Sequence, residues 1–390
     1  MKALIVQRYM SYYGGAENVV KELSENLLKM GVENSVIALN NSEETKEIYK
    51  NIKLLLPKKP LPNVFRSTDF FSALGIIREL YWLRKLLVKY YKSFDVINIH
   101  NFPANWVVFG IDKPIVWMCN EPPDFYSNPK PSLLLKILRY FGILIDKFFV
   151  QHYVDIICVA DKINAERVEK RYKKTPIIIP YGIDQQSFTA KNEDISSFLK
   201  GIGVDSDELV LLQVGVISPQ KNQIESIKAL QSLMNKGIKA KLVLAGKTDG
   251  PYFEFISKYI ADHNLSKFIV FTGHVNRETI GKLYKRAQVC LFPVKEQGGW
   301  LAPFEALLNK KPVIVSKTMG AAAIINENNF GIVADNFSLA IIEMNENLYK
   351  YQQNAEKASE WIRNNLTWDN FAKKFISVFA QAIHAKGEIK

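Results

Sequence analysis

Short apolar runs alternate along this chain with longer amphipathic stretches. The runs at 2–7 (KALIVQ), 35–39, 95–100, 114–119, 155–160 and 176–180 are mostly apolar over five or six residues, as strands covered on both faces are. Most are separated by stretches with an apolar residue every three to four positions. The first of these places Val19, Val20, Leu23, Leu27 and Leu28 on one side and stops at Gly31. The pattern then starts again, with strands expected at 209–214, 240–245, 268–272, 289–293, 312–315 and 330–334 and a helix over 222–235. Strand and helix alternating twice over predict an α/β chain of two Rossmann-like, doubly wound parallel-sheet domains, with a ligand cleft at the carboxyl ends of the strands. The expected division is 1–185 and 186–365, with a helix of about 366–390 returning to the first domain and a polar linker at 182–206.

The stretch Phe292 to Ser316, FPVKEQGGWLAPFEALLNKKPVIVS, concentrates the candidate chemistry. It reads as strand, glycine loop, short helix and strand, with the helix entered at Ala302-Pro303. Free N–H groups in a helix's first turn favour an anion such as a phosphate, and Gly298 and Gly299 let one approach. Glu305, expected on that first turn, suits sugar or ribose hydroxyls, or is simply a carboxylate near a helix dipole. Gly14-Gly15 stand at the corresponding loop-to-helix junction of the first domain, where a phosphate site and a plain turn both fit.

A length of 390 residues suits two domains, and 48% hydrophobic content is enough for two cores. The net charge of +12 points to anionic partners: nucleic acid, acidic lipid or phosphorylated small molecules. No nucleic-acid-binding module is visible. Cys119, Cys158 and Cys290 are far apart in apolar runs and read as reduced core residues of a cytoplasmic protein. The apolar start is too short for a signal peptide, and no apolar run reaches the ~18 residues of a membrane span. Asp205-Ser206-Asp207 spells a DxD, a metal-holding pattern in another transferase class, but here it only precedes a strand.

Two helical stretches of the first half are basic and aromatic. One, 65–92, interleaves Arg66, Arg78, Arg84, Lys85, Lys89 and Lys92 with Phe70, Phe71, Tyr81, Trp82, Tyr90 and Tyr91, and the other, 133–153, sets Lys136, Arg139 and Lys147 beside a leucine, isoleucine and phenylalanine face. Such helices lie in an anionic membrane interface, or pack on the sheet with their lysines in water. The sequence leaves both readings open.

With these elements placed, the chain resembles the retaining GT-B glycosyltransferases of family 4, the group 1 transferases. The resemblance runs through Gly14-Gly15, IPYGID at 179–184, VGVISPQKN at 214–222, FTGHV at 271–275 and the 292–316 stretch with its EAL and PVIVS. It implies transfer of a sugar, with retention, from a nucleotide-diphosphate donor to a glycan or lipid-linked acceptor, without a metal or other cofactor. Lys221 would meet the diphosphate, with Gly14, Gly15 and Gly215 admitting backbone N–H groups, and Glu305 would hold the donor ribose. Val275 would lie against the base, and Gly298, Gly299, Trp300 and Leu301 would line the donor.

Three departures from the family pattern stand out. Val216 occupies the place of an arginine, Gln297 that of a glutamate, with Glu296 one position earlier, and Asn120 that of a histidine. The resemblance still implies Lys221, Glu305, Gln297, Glu296 and Asn120 as catalytic candidates. The departures keep open a second reading, a degenerate transferase that binds donor or partners another transferase without turnover. The protein is expected in the cytoplasm, peripheral on the inner face of the membrane if the basic helices serve that role.

Overall fold

The computed structural model describes residues 1–11, 15–61, 70–123, 133–185, 201, 203–204, 208–295 and 300–388. These form two compact units: unit 1 comprises 1–182 and 368–390, and unit 2 comprises 183–367. Each is built on one parallel sheet.

In unit 1 the strands are β1 (Lys2–Val6), β2 (Glu33–Ile37), β3 (Leu54–Leu55), β4 (Val96–His100), β5 (Ile115–Met118), β6 (Ile156–Val159) and β7 (Ile177–Ile178), in the order β3-β2-β1-β4-β5-β6-β7. Every pairing is parallel, with Ile5 opposite Val36 on one side and Asn98 on the other. The helices are α1 (Gly15–Lys29), the short α2 (Glu43–Lys46), α3 (Phe70–Tyr90), α4 (Leu133–Tyr153) and α5 (Lys162–Tyr172), and α13 (Trp368–Glu388) joins them from the far end of the chain. A 3-10 turn, Ala104–Val108, links β4 to β5 and packs against both α3 and α4.

The α13 helix is held by an aromatic ladder. Trp368, Phe371, Phe375 and Phe379 meet in sequence, Phe375 stacks on His100 of β4, and Phe371 meets Tyr181. The phenylalanines are at most 1% exposed, each stabilising the unit by roughly 1.5–3 kcal/mol. A methyl on Gly182 would overlap the Trp368 backbone, so the chain passes against the helix start where only glycine fits.

Unit 2 repeats the plan. Strands β8 (Leu209–Val214), β9 (Ala240–Ala245), β10 (Ile269–Gly273), β11 (Val289–Phe292), β12 (Val313–Ser316) and β13 (Ile332–Ala334) run in the order β10-β9-β8-β11-β12-β13, all parallel. Its helices are α6 (Gln223–Asn235), α7 (Pro251–Asp262), α8 (Arg277–Arg286), α9 (Leu301–Leu308), α10 (Ala322–Glu327), α11 (Phe337–Glu346) and α12 (Leu348–Asn365).

Two parallel-sheet Rossmann-like units are what the strand and helix alternation predicts, and the differences in detail have local causes. The expected strand at 176–180 pairs only at Ile177–Ile178, because Pro176 and Pro180 bring no N–H to the ladder. The expected start of 268–272 moves to Ile269, since Phe268 closes a 3-10 turn from Ser266. Of the basic stretch 65–92, residues 65–69 lie outside the described residues, helix covers Phe70–Tyr90, and a 3-10 turn ends it at Ser93. The three cysteines are buried and free. No described helix is long and apolar enough to cross a membrane.

Candidate functional site

A doubly wound sheet reverses its strand order once, and the loops leaving the strands on either side of that point part to form a crevice. In unit 2 the reversal falls between β8 and β11, and in unit 1 between β1 and β4.

The β8 loop of unit 2, residues 215–222, carries Lys221 and is held from below by two buried glutamines. Gln213 donates through Nε2 to the Lys221 carbonyl (2.7 Å) and accepts the Ser226 hydroxyl (2.7 Å). Gln223 donates to the Val216 carbonyl (3.1 Å) and accepts the Ser218 N–H (3.3 Å). Each bond adds about 1 kcal/mol net, and breaking one would strand a buried amide at higher cost. Gly215 has φ 147, and a methyl there would lie 3.6 Å from Lys221 Cε, so the lysine stem runs across the glycine. Gly246, which follows β9, backs so closely on Gly215 that any Cβ would overlap the Gly215 carbonyl. Val216, where the resembled family has arginine, is 55% exposed.

Neighbouring loops are tied to this one. The Lys295 N–H donates to the Gln220 carbonyl (2.8 Å), and the Val294 carbonyl accepts both Ser316 Oγ (2.6 Å) and Thr318 Oγ1 (2.8 Å). The loops after β8, β11 and β12 are thus joined through one short segment. Glu296, Gln297, Gly298 and Gly299 follow it and lie outside the described residues, as do Gly14 and the DxD at 205–207.

Helix α9 begins at Leu301, earlier than expected, so Glu305 stands just beyond the first turn rather than on it. Trp300 at its N-cap supplies no side-chain cap, and Pro303 brings no N–H where none would be paired within the helix. Trp300 itself is 8% exposed and turns onto Phe304, ring centroids 4.7 Å apart, while Leu301 is partly buried.

Glu305 is partly buried, and burial pushes its carboxyl up to about 7, with Arg277 opposing and Asp184 reinforcing the shift. Arg277 Nη1 donates to Asp184 Oδ2 at 3.0 Å. Val275 is partly exposed in the preceding loop, between Gly273 (φ 69) and Asn276, whose Oδ1 caps α8 by accepting the Thr279 N–H (2.9 Å).

The raised carboxyl has a thermodynamic consequence. The folded chain holds the Glu305 proton more tightly than the unfolded one, so stability at this residue is greatest below about pH 4.5 and is lost as pH rises through about 7. Glu305→Gln is therefore expected to stabilise unit 2 at pH 8 by roughly 1–3 kcal/mol and to gain far less at pH 5, read by urea unfolding at the two values. An equal change at both would dismiss the burial effect.

At the carboxyl edge of unit 1, side chains form a hydrogen-bonded chain. Asn101 Nδ2 donates to Gln7 Oε1 (3.1 Å), Asn120 Nδ2 to Asn101 Oδ1, and the Tyr181 hydroxyl to Asn120 Oδ1 (2.6 Å). The chain ties loops after β1, β4, β5 and β7. Asn101 adopts φ 63, a left-handed conformation that asparagine tolerates better than most residues. Asn120 also accepts Asn164 Nδ2 at its carbonyl (3.1 Å), so the residue in the family's histidine position is braced on three sides. Below it, His100 is fully buried, paired through Nε2 with Asn98 Oδ1 (2.8 Å) and driven by burial to a pKa of about 3. Gly15 opens α1, and a methyl there would meet nothing within 4 Å.

The structure therefore gathers Gly215, Lys221 and their supports at one switch point, with Asn120 at the carboxyl edge of the other sheet. Sequence reasoning did not single out Gln213, Gln223, Gly246, Asp184 or Arg277. Gln213 alone left a visible sign, a polar residue inside the apolar strand LVLLQV. Among the described residues no group of three or more His, Cys, Asp or Glu side chains is placed to hold a metal ion.

Two Rossmann-like parallel sheets, each with its loops gathered at a switch point, define the GT-B architecture. The Glycosyl transferases group 1 family matches residues 194–368 and Glycosyltransferase Family 4 matches residues 13–187. The chain belongs to the group 1 glycosyltransferases. It is 25% identical to an uncharacterized glycosyltransferase of Methanocaldococcus jannaschii, over 96% of each chain. It is 22% identical to the alpha-monoglucosyldiacylglycerol synthase of Streptococcus pneumoniae, over 84% of this chain and 74% of that one. Among solved structures, Anabaena HepE in complex with UDP superposes with a TM-score of 0.75 at 16% identity, covering 98% of this chain and 100% of the other.

Proposed function

We propose that this chain transfers a sugar, with retention and without a metal ion, from a nucleotide-diphosphate sugar to a glycan or lipid-linked acceptor. The observation that carries the reading is the braced loop of unit 2: two buried glutamines and a glycine-to-glycine contact fix the loop from which Lys221 projects. As the bond from the anomeric carbon to the diphosphate oxygen breaks, negative charge grows on the leaving nucleoside diphosphate. Lys221 offsets that charge, and a preorganised loop does so without reorganising at the moment of reaction. Glu305 accepts hydroxyl hydrogen bonds from the donor ribose. The carboxyl edge of unit 1, with Asn120 at its centre, takes the acceptor.

HepE binds UDP in its solved structure, which supports a nucleotide-sugar donor, and the pneumococcal relative is a synthase of a glycolipid, which supports a lipid acceptor. Incubation with a panel of nucleotide sugars, with released nucleoside diphosphate as the readout, is expected to single out one donor. A second reading rests on Val216, whose exposed apolar side chain stands where a cation would assist the diphosphate. Under that reading the chain binds donor without turnover. Calorimetric binding of a donor with no release in the presence of any acceptor would favour it and overturn transfer.

A further inference from the structure

A helix covering a sheet should bury its apolar side, and α4 leaves much of its own in water. Ile137, Tyr140, Phe141, Leu144, Ile145 and Phe148 are each between 44% and 59% exposed. Their spacing of three and four places them along one stripe over three turns. The helix is anchored by its opposite side, where Val150 and Asp146 are fully buried.

Asp146 is the only carboxylate in α4, and it points inward. It accepts Trp106 Nε1 (2.9 Å), the Tyr172 hydroxyl (2.7 Å) and Arg171 Nη2 (3.0 Å). The charges left on the outer part of α4 are Lys136, exposed, with Arg139 and Lys147 half-exposed. Helix α3 is built the same way. Its only carboxylate, Glu79, is 1% exposed and holds Arg8 and Tyr9, while Arg78, Lys85 and Lys89 are exposed beside Ile77, Tyr81 and Val88.

The two helices are joined at the surface. Arg84 of α3 donates to the Val107 carbonyl (2.9 Å) and lies 4.2 Å over the Phe109 ring, and Phe109, 46% exposed, meets Phe149 of α4 edge to face at 6.0 Å. Arg84 is thus a brace, and the outward cations are its neighbours.

We propose that this face of unit 1 seats on an anionic lipid bilayer, with the α4 stripe entering the boundary between headgroups and acyl chains and the α3 cations lying over the lipid phosphates. The charge pattern selects this occupant. A two-fold contact with a second copy would bring the exposed Arg78, Lys85, Lys89 and Lys136 face to face with their own kind. A bilayer rich in acidic lipid offers negative charge and an apolar phase together. At 1.5 Å per residue the 21-residue α4 extends ~31 Å, and it would lie in the membrane plane, since no described helix is apolar enough to cross. Seating on lipid requires no sugar transfer, and its test reads no turnover.

The test is co-sedimentation of the full chain with vesicles of phosphatidylcholine alone and of phosphatidylcholine mixed with phosphatidylglycerol. Binding is expected to the mixed vesicles only, weakened but not abolished by high salt, because the apolar stripe is insensitive to screening. Phe141→Asp with Leu144→Asp is expected to lower partitioning at least about tenfold. Lys136→Glu with Lys147→Glu should cost more than roughly fivefold for each charge removed, since each substitution also adds a repelled one. These positions are exposed or half-exposed, so thermal unfolding should stay at the parent value, which separates lost binding from lost fold. Equal binding to both vesicle types, or undiminished binding by the Phe141/Leu144 variant, would overturn the proposal. So would a vesicle-free dimer abolished by that variant together with no lipid binding, which would make the face a protein interface.

Discussion

Lys221→Ala is expected to lower sugar transfer by about 100- to 1,000-fold, the usual loss when one preorganised group facing a developing charge is removed. Two features make the effect large. Val216 stands where the family has an arginine, so no second cation comes from that position, and the loop is braced too well to bring a substitute forward. Because the lysine stem also runs across Gly215, part of the loss could be packing, and Lys221→Met separates the two. Methionine keeps the stem and discards the charge, so both variants should fall alike. Steady-state kinetics with the best donor of the panel decides the matter, and a Lys221→Met variant within a few-fold of the parent would remove Lys221 from the reaction.

Gly246→Ala is expected to cost unit 2 roughly 3 kcal/mol, the upper end for an added methyl group. Most overpacked sites relieve themselves by turning a side chain, but here the atom in the way is the Gly215 carbonyl, and Gly215 is pinned by its N–H to the Ala245 carbonyl (2.8 Å). The ends of β8 and β9 must separate, which moves the loop carrying Lys221. For a unit of this size the melting temperature should fall by about 6–12 °C, and affinity for a nucleoside diphosphate should fall with it. Gly15→Ala, made where the added methyl meets nothing, is the matched control and should leave melting almost unchanged. A Gly246→Ala chain that melts with the parent would mean the two strand ends part freely.

How much of this was legible beforehand depends on where each feature's cause lies. Strands β8 and β9 and helix α4 begin and end where the sequence reading put them, because polar residues bound sharply apolar segments. Strand β3 escaped notice: two residues at a sheet edge show no period. Lys221 and Glu305 stood out through local motifs. Their surroundings did not, since the contact of Gly246 with Gly215 and the Arg277–Asp184 pair join positions far apart in the chain, and only the folded sheet brings them together. The shift in Glu305 was equally invisible, because burial belongs to the tertiary structure. Asn120 was singled out as a departure from a family pattern; that it is braced by Asn101, Asn164 and Tyr181 follows from loops of three different strands and the start of α5.

The place of α13 bears on the order in which the protein can fold as it is made. Unit 2 is a continuous segment, whereas unit 1 needs residues 368 onward, which are synthesised after the whole of unit 2. Until then α1, β4 and β5 lack the aromatic ladder that covers them, and His100 lacks the Phe375 ring against which it stacks. Growing chains usually complete their N-terminal domain first. Here the ribosome delivers the opposite sequence: the later unit can close while the earlier one waits, partly open, for its last helix.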